Sequence, residues 1–185
     1  MSKFGEPVDD YGFPLFEENE FPIACLITFR TYATWFHGDE KGSVGRTATN
    51  IYGKPGITPS VPLTEDMSAT RKFESTILNP EERAVASSAI QEVCEHRGYT
   101  LRALNTRTNH VHSVVSHLGK PEKIVNDFKA YATRALRRKW QRSGDERIWS
   151  RGASTRYLWK PRHVDAAIDY VLYCQEDIPF EFSDE

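Results

Sequence analysis

The spacing of apolar positions changes several times along the chain, and each change marks an element. Residues 23–32, Ile-Ala-Cys-Leu-Ile-Thr-Phe-Arg-Thr-Tyr, are crowded with β-branched and aromatic side chains and predict a strand. Further on, Asn79 offers a cap, Pro80 suits a first helical position, and Glu81 and Glu82 place negative charge at the positive end of a helix dipole. Val85, Ala89 and Val93 keep a helical period to about Arg97, and Gly98 ends it. Residues 99–105 alternate as a strand, 106–109 make a tight connection, and 110–118 form another strand. Pro121 opens a second helix to about Trp140, with Ile124, Val125, Phe128, Ala132, Ala135 and Leu136 on one face. Residues 143–145, Ser-Gly-Asp, break it, 147–159 are strand-like or extended, and a last helix runs from about His163 to Gln175. Its core stripe is Val164, Ala167, Ile168, Val171 and Leu172.

The order β–α–β–β–α–β–α predicts an α+β, ferredoxin-like (RRM-like) sandwich, an antiparallel sheet with helices packed on one face and one further C-terminal helix. Residues 37–66 hold Gly38, Gly42, Gly45, Gly53, Pro55, Gly56, Pro59 and Pro62 and read as a long loop insertion. A short strand is expected within 67–77. Residues 1–21 read as an irregular N-terminal arm, 22–176 as a single domain, and 177–185 as an acidic tail. Many functions share such a sandwich, so the fold alone decides none of them.

At 185 residues and 39% apolar, the chain can bury a real core. No stretch approaches the ~20 apolar residues of a membrane helix, and the N-terminus lacks a secretory apolar run, so a cytoplasmic protein is expected. Cys25, Cys94 and Cys174 are too widely spaced for a disulfide framework or a paired-cysteine metal site and read as buried thiols. The net charge of −2 hides a segregation. Residues 120–162 hold thirteen Lys or Arg against four acids, a local +9 that leaves −11 for the rest. Such a field could neutralise nucleic-acid phosphates, or it could be a solvated helix face.

The strongest chemical signal is His110-Val111-His112 within the second strand of the predicted hairpin. Residues two apart on a strand share a face, so both imidazoles project together and can converge on one divalent metal. The bland alternative is a pair of surface histidines. His37, His96, His117 and His163 form no such pair and read as structural or surface residues.

Four segments together, NHVHSVV, PEKIVNDFKAYATRALRRKW, IWSRGASTRYLW and HVDAAIDYVLYCQED, resemble the HUH single-strand tyrosine transposases of bacterial insertion sequences, and more closely their REP-associated branch. The upstream LITFRTYATWFHGDEKGSV resembles a loop-bearing subgroup. The resemblance covers roughly residues 22–176. The His pair alone is a weak motif; the four segments in this order are specific.

The resemblance implies a metal-dependent transposase or site-specific nickase that cuts and rejoins single-stranded DNA, with hairpin-bearing strands as partner and a homodimer or monomer as the working form. Tyr170, 58 residues after His112, is then the nucleophile, leaving a 5′-phosphotyrosine and a free 3′-OH. It also implies Mg²⁺ or Mn²⁺ as cofactor; two imidazoles are softer donors than Mg²⁺ prefers, so Mn²⁺ should bind more tightly. Gln175 is the candidate third ligand. The family spacing from tyrosine to Gln or Asn is four, which here falls on Cys174. At about 100° per residue, Tyr170 and Gln175 lie roughly 140° apart on a regular helix. Tyr173 is the alternative nucleophile, while Tyr131 and Tyr157 suit packing or base stacking. Candidate DNA contacts are Lys129, Arg134, Arg137, Arg138, Arg151 and Arg156, interleaved with Trp149, Tyr157 and Trp159. The rival functional reading is a nucleic-acid-binding protein of the same fold that has lost cutting. A zinc hydrolase is a third, and lacks a motif such as HExxH.

Overall fold

The structure, a computed structural model, describes residues 21–34, 74–141, 144 and 146–173. Its elements follow the expected order: β1 (Ala24–Arg30), α1 (Pro80–Arg97), β2 (Thr100–Thr106), β3 (His110–Ser116), α2 (Pro121–Trp140), β4 (Ser154–Leu158) and α3 (Pro161–Tyr173). The insertion at 37–66, the acidic tail, His37, Cys174 and Gln175 lie outside the described residues.

Local chemistry fixes the helix ends. The Asn79 side chain accepts from the Glu82 N–H at 2.9 Å, and the Glu82 carboxylate accepts from the Asn79 N–H at 2.9 Å. This reciprocal box satisfies two donors that α1 would otherwise leave open, and it explains why Glu82 is buried. Gly98 closes the helix at φ 69°, where a Cβ is strained, and its N–H turns back to the Cys94 and Glu95 carbonyls. Pro121 opens α2, and Gln141 ends it in the left-handed region.

The sheet order is β2-β3-β1-β4, with every neighbouring pair antiparallel. Placing β3 between β2 and β1 makes the ferredoxin-like sandwich that the element order predicts. Strand alternation divides the side chains between two faces. On one, Cys25, Ile27, Phe29, Val111 and Val115 meet Ile90 and Val93 of α1 and Ile124 and Phe128 of α2. On the other, Leu26, Ala103, Val114 and Leu158 meet Val164, Ala167 and Val171 of α3. The two sandwich helices thus share one face, and the C-terminal helix covers the opposite one.

Some details differ from expectation. The buried stripe of α1 is Ala86, Ala89, Ile90, Val93 and Cys94, and Val85 is only half-buried. Ala135 of α2 is half-buried and Leu172 of α3 is exposed. The described part of the expected 67–77 strand, from residue 74, is not a strand; Thr76 donates its N–H to the Tyr32 carbonyl instead. Cys25 and Cys94 are buried free thiols, and burial pushes both up to about 12.

Candidate active site

The site is built at the end of the sheet where β1 and β2 finish and β3 and β4 begin. The β2–β3 turn fixes it first. The Arg107 N–H bonds the His110 carbonyl at 2.8 Å, leaving Thr108 and Asn109 as the turn. Both turn carbonyls are held from outside the hairpin. Thr108 accepts from the Leu78 N–H at 2.7 Å, and Asn109 from the Thr31 N–H at 2.9 Å and the Thr31 hydroxyl at 3.1 Å. His110 therefore leaves a turn whose backbone is pinned by β1 and by the segment leading into α1.

His110 and His112 project from β3 to the α3 face, with ring centroids 4.6 Å apart and planes at 74°. Val111 between them is buried on the other face, against α1 and α2. His110 Nδ1 lies 2.6 Å from Asn109 Oδ1, and His112 Nδ1 lies 2.7 Å from the Thr28 hydroxyl. An amide oxygen only accepts, so Nδ1 of His110 carries the hydrogen, and Nε2 is the nitrogen left to face a ligand. The Thr28 contact fixes the second ring in the same way when Nδ1 donates. Burial first, and then the positive charges of His110, Arg30 and Arg107, push His112 down to about 3. It is therefore neutral at neutral pH, the form that can ligate a metal.

Register completes the site across the strands. Asn105, His112, Thr28 and Ser154 form one cross-sheet row. In the next row Arg30 pairs with His110, and Arg107 faces His110 across the turn. Thr28, Asn105, Asn109, Arg30 and Arg107 were not among the residues singled out by sequence. The signal was nonetheless there, because the strand period carried back from the hairpin puts 105 and 107 on the His face.

Helix α3 brings the tyrosine. Val164, Ala167 and Val171 bury it on the sheet, and the Asn105 side-chain amide donates to the Val171 carbonyl at 2.9 Å. Tyr170 is half-buried at the edge of this contact, and its ring meets His112 edge-on with centroids 5.4 Å apart. Tyr173 is 78% exposed. The structure thus brings Tyr170 and both histidines together and leaves Tyr173 facing solvent. Tyr131 packs against the α1/α2 core and carries the Arg134 guanidinium at 4.3 Å from its ring.

The basic residues divide. Arg156 pairs with Leu26 and so shares the His face. Arg134, Arg137 and Arg138 lie on α2, behind the sheet. Arg137 donates to the Gly144 and Glu146 carbonyls, and the Lys129 ammonium donates to the carbonyls of Ser150, Arg151 and Gly152. Burial lowers Lys129 to about 8. Those two side chains brace the segment entering β4. Arg151 is exposed in that segment. Trp149 stands edge-on to Phe29 at 5.1 Å and donates its indole N–H to Thr133, so it packs; Tyr157 is half-exposed.

Two imidazoles whose Nδ1 atoms are both engaged, with Nε2 remaining, make a donor set that fits a divalent cation with positions left over for water or phosphate oxygens. Among the described residues no group of three or more His, Cys, Asp or Glu is arranged to hold a metal ion. The candidate third ligand Gln175 is not among those residues.

A family profile described as "Transposase IS200 like" matches residues 67–169, more than half of the chain. The chain belongs to the IS200-like transposase family. The matched stretch contains the His pair and the basic helix and stops one residue short of Tyr170. Two solved structures are similar. A transposase structure from Deinococcus radiodurans R1 is 10% identical, with a TM-score of 0.48, covering 88% of this chain and 98% of that one. A REP-associated tyrosine transposase bound to a REP hairpin is 14% identical, with a TM-score of 0.43, covering 85% of this chain and 70% of that one. No curated protein matches the sequence. Among the described residues no helix is long and apolar enough to cross a membrane.

Proposed function

We propose that this IS200-like transposase cuts and rejoins single-stranded DNA through a covalent bond between Tyr170 and a 5′-phosphate. The observation that carries the reading is the Tyr170 ring packed edge-on against His112, 5.4 Å between centroids, on the face where His110 projects. This contact sets a phenol from α3 beside two imidazoles from β3 at the polar end of the sheet, beyond the apolar stripe that seats the helix.

In the cutting step the Tyr170 phenol oxygen attacks a DNA phosphorus. The P–O3′ bond breaks, the phenolic proton is lost, and the leaving 3′ oxygen gains one to become a free 3′-OH. The phosphotyrosyl ester keeps the bond energy of the phosphodiester, so a 3′-OH can attack it and release the tyrosine without ATP. A phenol with a pKa near 10 is a weak nucleophile at neutral pH. Mg²⁺ or Mn²⁺ held by His110 and His112, with Gln175 as candidate third ligand, would supply the charge that favours phenolate and polarises the phosphate. The chain's own residues do the positioning. Asn109 and Thr28 orient the two imidazoles, and Asn105 and the apolar stripe of α3 hold the tyrosine in reach. Single strands bearing a hairpin are the proposed substrate. Arg151 and Arg156 would meet them at the sheet edge and Arg134 and Arg138, exposed on α2, at the back, while Lys129 and Arg137 would act indirectly by bracing the segment entering β4.

The test is a denaturing gel with hairpin-bearing single strands from the genome that encodes the chain. A 3′-labelled strand is expected to shift to a protein adduct with Mn²⁺ or Mg²⁺, to stay free with EDTA, and to stay free with Tyr170→Phe. Tyr173→Phe is expected to keep the adduct. Strand binding by the wild type without an adduct under any of these conditions would overturn the proposal in favour of a binding protein.

A further inference from the structure

His110 stands between two arginines. Arg30 is its register partner on β1, and Arg107 faces it across the β2–β3 turn through the 2.8 Å Arg107 N–H to His110 carbonyl bond. Paired residues on neighbouring antiparallel strands point to the same face, so Arg30 shares the face of His110. Thr28, two residues earlier, bonds His112 there, and Asn105, two residues before Arg107, bonds α3 there. Neither arginine belongs to the basic stretch at 120–162 that dominates the charge pattern.

We infer that Arg30 and Arg107 form an anion clamp that grips the non-bridging oxygens of a DNA phosphate over the His110–His112 face. A guanidinium presents donors in a planar fork that matches two phosphate oxygens, and it stays charged at any working pH. Two forks arriving from β1 and from the turn would hold one phosphate from both sides of His110, fixing the phosphorus in front of the Tyr170 oxygen. Both are half-buried at the pinned end of the sheet, so little freedom is lost when they bind. The clamp deepens the proposed function and rests on it for the identity of the held phosphate as the scissile one. Phosphate binding itself does not depend on the chemistry of Tyr170.

The experiment separates the two. Affinity for a fluorescein-labelled oligo(dT) strand is measured against salt concentration, without added metal, in the Tyr170→Phe background. Each phosphate contact in a single strand contributes about 0.7 to the slope of log affinity against log salt. Arg30→Gln with Arg107→Gln is expected to lower the slope by about 0.7, because both side chains hold the same phosphate. Arg102→Gln, which removes one charge from the far end of β2, is expected to leave it as it is. In the protein with Tyr170 intact, Arg30→Lys with Arg107→Lys keeps the charge and is expected to restore the slope, yet to slow adduct formation by about tenfold or more, because the fork is lost. An unchanged slope in the Gln pair, at an unchanged melting temperature, would overturn the clamp even if adducts form normally. A lowered slope with no adduct in the wild type would leave the clamp standing and sink the tyrosine chemistry.

Discussion

The two faces of the sheet are made by the same four strands and do different work. Toward α1 and α2 the strands send Ile27, Phe29, Val111 and Val115, all 0–1% exposed, into a continuous apolar layer that includes Phe128 and Ile90. Toward α3 they send a graded series. Leu26, Ala103 and Val114 bury against the helix at one end, and Thr28, Asn105, His110 and His112 take over at the other. One face supplies stability almost uniformly along its length. The other uses half its length to seat a helix and the other half to aim polar groups, at the cost of a smaller core. A difference of two residues along a strand separates packing from chemistry.

The contrast can be broken most severely on the α1/α2 side. Phe128→Ala, at a site with no exposed surface, is expected to lose about 3–5 kcal/mol of unfolding free energy in denaturant melts. A loss below about 1 kcal/mol would mean this layer is not the main support. On the other face, Val171→Ala is expected to cost less, about 1.5–3 kcal/mol at most, because it removes part of one small buried side chain. Its larger effect should fall on adduct yield, since Tyr170 is carried by the same helix.

Mild acid, above the range where the Asp127 carboxylate of α2 titrates, should act first on the polar half. The folded pKa of His112 is depressed to about 3 from an ordinary 6.5, so the folded state holds fewer protons than the unfolded one between those values. The stability tied to the neutral ring is complete above about pH 6.5 and is lost as pH falls towards 3, with a limiting slope of about 1.4 kcal/mol per pH unit. Denaturant melts of wild type and His112→Gln at pH 7.5, 6.0 and 5.0 measure it. Parallel losses in both proteins would remove His112 as the cause. The smallest expected effect is that of Asn105→Ala. Losing the bond to the Val171 carbonyl should cost about 0.5–1.5 kcal/mol, with the rest of the sheet unaffected in hydrogen exchange.

What the sequence made legible was whatever is encoded locally. Asn79, Pro80 and Gly98 marked α1 to within a residue, because capping and left-handed closure depend on a few adjacent side chains. The period-2 rule placed His110 and His112 on one face and Val111 on the other. Register was not legible. Thr28 and Asn105 are 84 and 66 residues from the partners they bond, and nothing in their own neighbourhoods announces those bonds. Counting charge in 120–162 gave the amount without a direction. The crossover between β3 and β4 put α2 behind the sheet, and the carbonyls of 144, 146 and 150–152 took the donors of Arg137 and Lys129. Arg30 and Arg107 went unnoticed because each stands alone in sequence and acquires a companion only when the strands pair.

The carbonyls of Thr108 and Asn109 are already occupied by Leu78 and Thr31 before any ligand arrives. The platform beneath His110 is therefore set when the hairpin docks onto β1 and the α1 approach, not when a cation or strand is taken up. Uptake of a cation or strand there should need side-chain adjustment only, at the speed of rotamer motion rather than of refolding.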